Sequence, residues 1–425
     1  MRNACSFLLL SLICLTAGIA SAGTVVKVRV DDTIQPISDE YIGRAIEQAR
    51  QTNADAVLIE LRTPGGLVDS TRSIIEKMLA SPVPVIVYVA PSGGRAASAG
   101  FFLLEASDVA AMAPGTNTGA AHPVNFGGEK MDDVMKQKVE NDAAAFMRSF
   151  VGPRGRNVTL AESAVRDSKS WTDKEALDQH LIDYIARDQD DLFKQMDGKP
   201  IRRFDGKTVT LHLAGAQVIN LPMTLKQRIL DFLLDPNIAF IVLAIGALAL
   251  YAELNHPGAV LPGVVGIVFV LLALFALNLL PTRYAAFTLI MAAFVMFALE
   301  AKFATHGILG VAGIALMTMG GLLLVDGPIP EMRVKLWTAL AVSVPLGAVT
   351  VFLMAIALKA RRNKVVTGEQ GMIGSLGEAR TDIDPEGKVF VQGELWNAHA
   401  PSRVQMGEQV VVRKIEGLEL EVEKV

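Results

Sequence analysis

A chain of 425 residues, 51% apolar and 20% charged, is long for one domain and richer in apolar side chains than soluble proteins usually are. Its formal net charge of −4 carries no nucleic-acid signal. Both cysteines, Cys5 and Cys14, lie at the extreme N-terminus, so the rest of the chain has no disulfide, no thiolate metal site and no cysteine nucleophile.

Arg2, the apolar run Phe7–Ala17 and the small-residue site Ala20-Ser21-Ala22 read as a signal peptide over residues 1–22, cleaved after Ala22. Residues 23–190 read as an α/β domain. Strand-like runs at Val25–Val30, Ala56–Leu61, Val85–Ala90 and Val109–Ala113 alternate with helical patterns at Ile37–Gln51, Leu67–Leu79, Ser98–Ala106 and Met131–Phe150. Continuous apolar strands between helices predict a parallel sheet covered on both faces.

Two strand ends in this domain carry chemistry. Val85–Ala90 runs into Gly93-Gly94-Arg95-Ala96-Ala97-Ser98-Ala99-Gly100, which places one hydroxyl at a glycine-loosened turn before a helix N-terminus. Ala56–Leu61 runs into Arg62-Thr63-Pro64-Gly65-Gly66, a turn with free amides. A serine beside such a turn can perform acyl transfer. The amides of Gly66 and Ala99 would form the oxyanion hole, and Gly65 and Leu67 would hold an extended peptide as an added strand.

Residues 191–236 are more polar and read as a linker with an amphipathic segment. Five uncharged apolar stretches follow within residues 237–360: Ile238–Ala252, Val260–Leu280, Tyr284–Leu299, Gly307–Val325 and Leu336–Leu358. The second, fourth and fifth are long enough to span a bilayer; the first and third need flanking residues. The basic cluster Lys359–Lys364 predicts a cytoplasmic end after the last span. An odd number of spans joins an exported domain to that end, which favours five over four.

Residues 365–425 show short strand signals at Val389–Val391, Val410–Val412 and Leu418–Val422 and read as a five-stranded all-β barrel. The excess of carboxylates over Lys and Arg there disfavours nucleic acid and favours docking or structural support. No metal-ligand cluster, phosphate loop or dinucleotide fingerprint occurs, so neither a metal nor a cofactor is expected.

The chain resembles the NfeD family of membrane-bound, ClpP-class serine proteases. The resemblance rests on Arg62–Gly66, Ala96–Gly100, Met112–Ala120, Gly155-Arg156-Asn157, Glu175-Ala176-Leu177 and Glu253–Gly258, and it covers nearly all of the chain. It implies a ClpP/crotonase-like N-terminal domain, a multi-span helical block and a C-terminal OB-fold. It also implies Ser98 as nucleophile and Lys138, in the Lys-x-x-Asn pattern Lys138–Asn141, as general base. A lysine serves as base only when desolvation removes its charge, and the apolar neighbours Val134, Val139, Ala143 and Ala144 predict burial of its helix. His122, 24 residues after Ser98, is the alternative base.

The resemblance further implies an integral protein of the bacterial inner membrane, with the protease domain extracytoplasmic and the barrel cytoplasmic. Its substrate would be the hydrophobic tail of a stomatin-like membrane protein. Assembly into homo-oligomers, dimers or higher, is expected. A non-catalytic scaffold for a stomatin-like partner is the alternative function.

Overall fold

The computed structural model describes residues 23–124, 132–255, 258, 260–303, 305–327, 329–362 and 369–425. The expected signal peptide lies outside them. In chain order the first domain contains β1 (Thr24–Val30), α1 (Pro36–Thr52), β2 (Ala56–Leu61), α2 (Val68–Leu79), β3 (Val85–Val89), β4 (Arg95–Ala97) and α3 (Ala99–Ala106). There follow β5 (Val109–Met112), β6 (Asn117–Gly119), α4 (Asp133–Arg154), α5 (Val158–Arg166), β7 (Ser170–Thr172), α6 (Asp173–Asp178), β8 (Tyr184–Ile185) and α7 (Gln189–Met196).

The β-branched runs build the expected parallel sheet. β1 pairs β2, β2 pairs β3, β3 pairs β5 and β5 pairs β8, all parallel. Alternate residues point to opposite faces, and both faces are covered. Val26, Val28, Val57, Ile59 and Val87 belong to one buried cluster; Val25, Leu58, Ile86 and Tyr88 belong to another. Each such side chain contributes roughly 1.5–3 kcal/mol by leaving water. A second small sheet, β4-β6-β7, holds the end of the nucleophile turn.

The polar stretch expected as a linker is built into this domain. Leu192, Phe193 and Met196 of α7 are buried in the second cluster, together with Ile201 and Leu213. β9 (Pro200–Arg202) and β10 (Thr208–Thr210) form a hairpin, and β11 (Gln217–Asn220) pairs with β1 as the edge of the main sheet. Arg203 clamps the hairpin: its guanidinium donates to the Pro82 carbonyl at 2.9 Å and lies 3.5 Å from buried Asp108. The polar composition misled because these apolar anchors are sparse and one buried arginine carries much of the attachment. The short amphipathic helix α8 (Leu225–Leu233) ends just before the first membrane helix.

The membrane block comprises α9 (Pro236–Asn255), α10 (Leu261–Asn278), α11 (Tyr284–Lys302), α12 (Ile308–Leu324) and α13 (Leu336–Arg362). Among the described residues, four segments are long and apolar enough to cross a membrane: Pro236–Leu254, Leu261–Asn278, Tyr284–Lys302 and Pro330–Phe352. The lengths redistribute what the sequence suggested. The first and third stretches reach 20 and 19 residues by borrowing flanks, whereas the fourth shortens to 17 because His306 and Gly307 adopt positive φ before it.

The first four of these helices form two hairpins with one pattern. Glu253, Gly263 and Gly266 have the same spacing as Glu300, Gly310 and Gly313. The Glu253 carboxylate accepts from the amides of Gly258 (3.2 Å) and Val260 (3.3 Å); Glu300 accepts from those of Gly307 (3.0 Å) and Gly310 (3.1 Å). Each glutamate thus ties down the turn that leads into the next helix, and Glu300 also caps that helix at Gly310. A Cβ on Gly266 would lie 2.8 Å from Leu250, and one on Gly313 would lie 2.5 Å from Phe297, so both hairpins close on bare glycine backbone.

The C-terminal unit forms a closed five-stranded barrel, β12-β13-β14-β16-β15, as expected. Its strands are β12 (Leu376–Ala379), β13 (Glu386–Val391), β14 (Glu394–His399), β15 (Gln409–Glu416) and β16 (Glu419–Lys424). Val389, Val391, Ala398, Val410, Val412, Leu420 and Val422 fill it.

Candidate active site

Ser98 sits between β4 and α3 at φ 53° and ψ −114°, a strained conformation for any residue with a Cβ. It occupies the N-cap position, yet its hydroxyl makes no capping hydrogen bond. Its backbone is held from both directions. The Ser98 amide donates to Gly119 O at 2.9 Å, and Ser98 O accepts from the Phe101 amide at 3.0 Å. The strain is therefore fixed by the surrounding sheet, and the side chain stays free for chemistry.

The Thr63–Gly66 turn lies against this serine. A Cβ added to Gly65, which has φ 129°, would sit 2.9 Å from Ser98 Cβ and 3.3 Å from Ser98 Oγ. At Gly66 an added Cβ would meet Ile34 O at 2.0 Å. Both positions need glycine for close approach. Ile34 pins the turn: its amide donates to Gly65 O, and its carbonyl accepts from the Leu67 amide, each at 2.8 Å. Thr63 joins the turn to β4, donating to Arg95 O at 2.8 Å and accepting from Ala97 N at 3.1 Å.

Ser98, Gly66 and Ala99 line one cleft that is open to solvent on one side. Its other walls are mostly apolar: Val68, Phe102, Ala121, Pro123, Ala143 and Phe146, with Thr71 and Arg72 from α2. Gly65 and Leu67, read as peptide-holding residues, do not line it. Gly65 is buried beneath the serine and Leu67 is tied to Ile34, so Val68 takes the wall position instead. Sequence reading missed Arg72, which stacks over the Phe146 ring at 4.3 Å and pairs with Asp142 of α4. Helical periodicity puts Arg72 on α2, but no local signal says which neighbour that helix meets.

The two candidate bases are placed differently from expectation. Lys138 is exposed, as are the residues from Asp132 to Gln137, including Val134 at 58% and Met135 at 51%. α4 packs on the domain only from its middle onward, through Ala144, Met147, Phe150 and Val151. Lys138 is outside the cleft lining and about 7 Å along the helix axis from Ala143. The predicted burial of this helix start is not found among the described residues, where Val134 stays 58% exposed. His122 is half-buried, and its Nδ1 donates to Val165 O at 2.8 Å. Its neighbours Ala121 and Pro123 line the cleft while the imidazole does not. Asn157 caps α5, accepting from the Leu160 amide at 3.1 Å.

Three family descriptions match the chain in order: NfeD1b, N-terminal domain over residues 24–195, NfeD integral membrane domain over 237–356, and NfeD-like C-terminal, partner-binding domain over 369–424. The chain is 33% identical to the membrane-bound protease PH1510 of Pyrococcus horikoshii, over 96% of this chain and 95% of that one. The chain belongs to the NfeD family. It is a membrane-bound serine protease with a parallel α/β N-terminal domain and an OB-like C-terminal barrel. The membrane protein NfeD1b of Bacillus subtilis is 26% identical over 96% of this chain and 94% of that one. Among solved structures, one of the 1510-N membrane-bound stomatin-specific protease, a lysine-to-alanine variant in complex with a substrate peptide, is 32% identical. It matches 50% of this chain and 98% of its own, with a TM-score of 0.47.

Proposed function

We propose that this NfeD protein cleaves an extended apolar segment of a stomatin-like membrane protein by Ser/Lys acyl-enzyme chemistry. The observation that carries the reading is the strained Ser98 elbow, with its uncapped hydroxyl, facing a mostly apolar cleft beside the Gly65–Gly66 turn. Ser98 Oγ attacks the peptide carbonyl and gives its proton to the Lys138 amine. The amides of Gly66 and Ala99 stabilise the oxyanion. Collapse breaks the C–N bond, and Lys138 returns the proton to the leaving amine. Water, deprotonated in turn by Lys138, then releases the acid from the serine.

An amine base must be neutral, and burial is what removes its charge. The exposed start of α4 therefore has to be covered for catalysis. Exposed Val134 and Met135 offer the surface for it, to substrate or to a second copy in a homo-oligomer. The protease domain is read as extracytoplasmic and the barrel as cytoplasmic, where it would hold the stomatin-like partner. Fluorophosphonate labelling of the full-length protein is the test. One adduct on Ser98, absent in Ser98→Ala and accompanied by loss of cleavage of a stomatin-type tail peptide, is expected; an unlabelled Ser98 with cleavage intact overturns the assignment.

A further inference from the structure

The helix α8 has two faces with different partners. Thr224 caps it in a capping box with Gln227. Its inner face docks on the protease domain: buried Gln227 donates to Glu40 at 3.2 Å, and Asp231 accepts from Gln35 at 3.2 Å. Its outer face carries Leu225, Ile229 and Phe232, at i, i+4 and i+7, exposed by 72%, 50% and 60%. Two large aromatic side chains stand exposed at the starts of later membrane helices, Tyr284 on α11 and Trp337 on α13. Those starts share one end of the block with the start of α9, because the Lys335 amide donates to Asn237 at 2.9 Å. Thr282 bridges Val325, and Arg283 pairs with Asp326 at 2.9 Å, at the same end.

We propose that α8 lies in the bilayer interface, with Leu225, Ile229 and Phe232 inserted at the headgroup–acyl boundary. The occupant of this face is a lipid surface. α8 ends at Leu233 and the first membrane helix begins at Pro236, so the intervening chain reaches only about 10 Å. A helix so tethered cannot leave the interface, and an apolar outer stripe with Lys226 and Arg228 at its flanks suits that depth. Tyr284 and Trp337 supply the aromatic belt at the same level. The contact reaches the active site through two adjacent residues. Asp231 holds Gln35, and Ile34 beside it pins the Gly65–Gly66 turn under Ser98. The bilayer thereby sets the height of the cleft and supports the oxyanion turn, and cleavage is directed to segments lying at the membrane surface.

The test uses full-length protein in phosphatidylcholine nanodiscs, with Cys5 and Cys14 replaced and an environment-sensitive fluorophore on Phe232→Cys. Ser168→Cys, on the exposed side of the protease domain, is the reference. Lipids bearing a doxyl group near the headgroup should quench the label at 232 and not that at 168, and aqueous iodide should do the reverse. Iodide quenching of both labels, or protection of 232 from both quenchers as under a second copy or a protein partner, would overturn the proposal. An Ile229→Asp/Leu225→Asp variant adds a functional readout. It should lose cleavage of a vesicle-anchored peptide relative to the same peptide free in solution; equal loss on both, or none on either, counts against the lipid surface.

Discussion

At Ser98 and its neighbours, geometry and chemistry can be separated by substitution. Gly65→Ala adds a methyl 2.9 Å from Ser98 Cβ at a φ of 129°, so the turn or the serine has to move. A shift of this size should lower kcat by about 10²-fold, and the strained backbone should also lower the melting temperature. Lys138→Ala should abolish peptide cleavage and His122→Ala should keep most of it, since the imidazole is engaged with Val165. The opposite pattern would transfer the base role to His122. Deeper in the domain, Glu105 sits at the end of α3, the helix that Ser98 begins. It is fully buried, neither carboxylate oxygen has a hydrogen-bond partner among the described residues, and burial pushes its pKa up to about 8 despite the nearby Arg156. Its folded pKa lies above the unfolded value, so the folded state keeps a proton that the unfolded state releases. Stability should fall as pH rises from about 4.5 to about 8 and then level off, with a slope contribution of up to ~1.4 kcal/mol per pH unit. Glu105→Gln should remove that slope in urea unfolding followed across this range.

Among the elements, the hairpin β9–β10 and strand β11 decide where the protease domain ends. Arg203 is largely buried against Asp108 and also donates to the Pro82 and Ser81 carbonyls. Arg203→Ala leaves those carbonyls without their donor, although Asp108 keeps Arg154. The expected cost is about 2 kcal/mol, read as a lower denaturation midpoint of the protease-domain transition. An unchanged midpoint would restore the view of residues 191–236 as a linker. α4 shows the opposite misreading. Its apolar residues Val134 and Val139 suggested a buried start, but the helix joins the domain only after its first turns, so the same periodicity describes a face with no partner among the described residues.

For the whole molecule, connectivity predicts sidedness. If α12 crosses despite its 17 residues, five crossings separate the two soluble domains. The matched Glu–Gly patterns of the two hairpins support that, because α10, the counterpart of α12, is long and apolar enough to span. A cysteine at Ser168 should react with an impermeant maleimide in intact cells, and one at Gln392 only after lysis. Reaction of both in intact cells would mean an even number of crossings.

Composition and periodicity sufficed for the parallel strands, the order of the three segments, the closed barrel and the Ser98 turn. Each of these follows from local rules: continuous β-branched runs, long uncharged stretches, and glycines flanking one hydroxyl. Tertiary structure alone decided the rest. It brought Arg72 onto the Phe146 ring in the cleft wall, turned His122 toward Val165, left Lys138 exposed, drew the polar stretch into the sheet edge and gave the inner face of α8 its partners Glu40 and Gln35. The physical reason is that a residue's own neighbours in sequence determine its helix or strand, whereas burial and partnership depend on surfaces that only folding brings together.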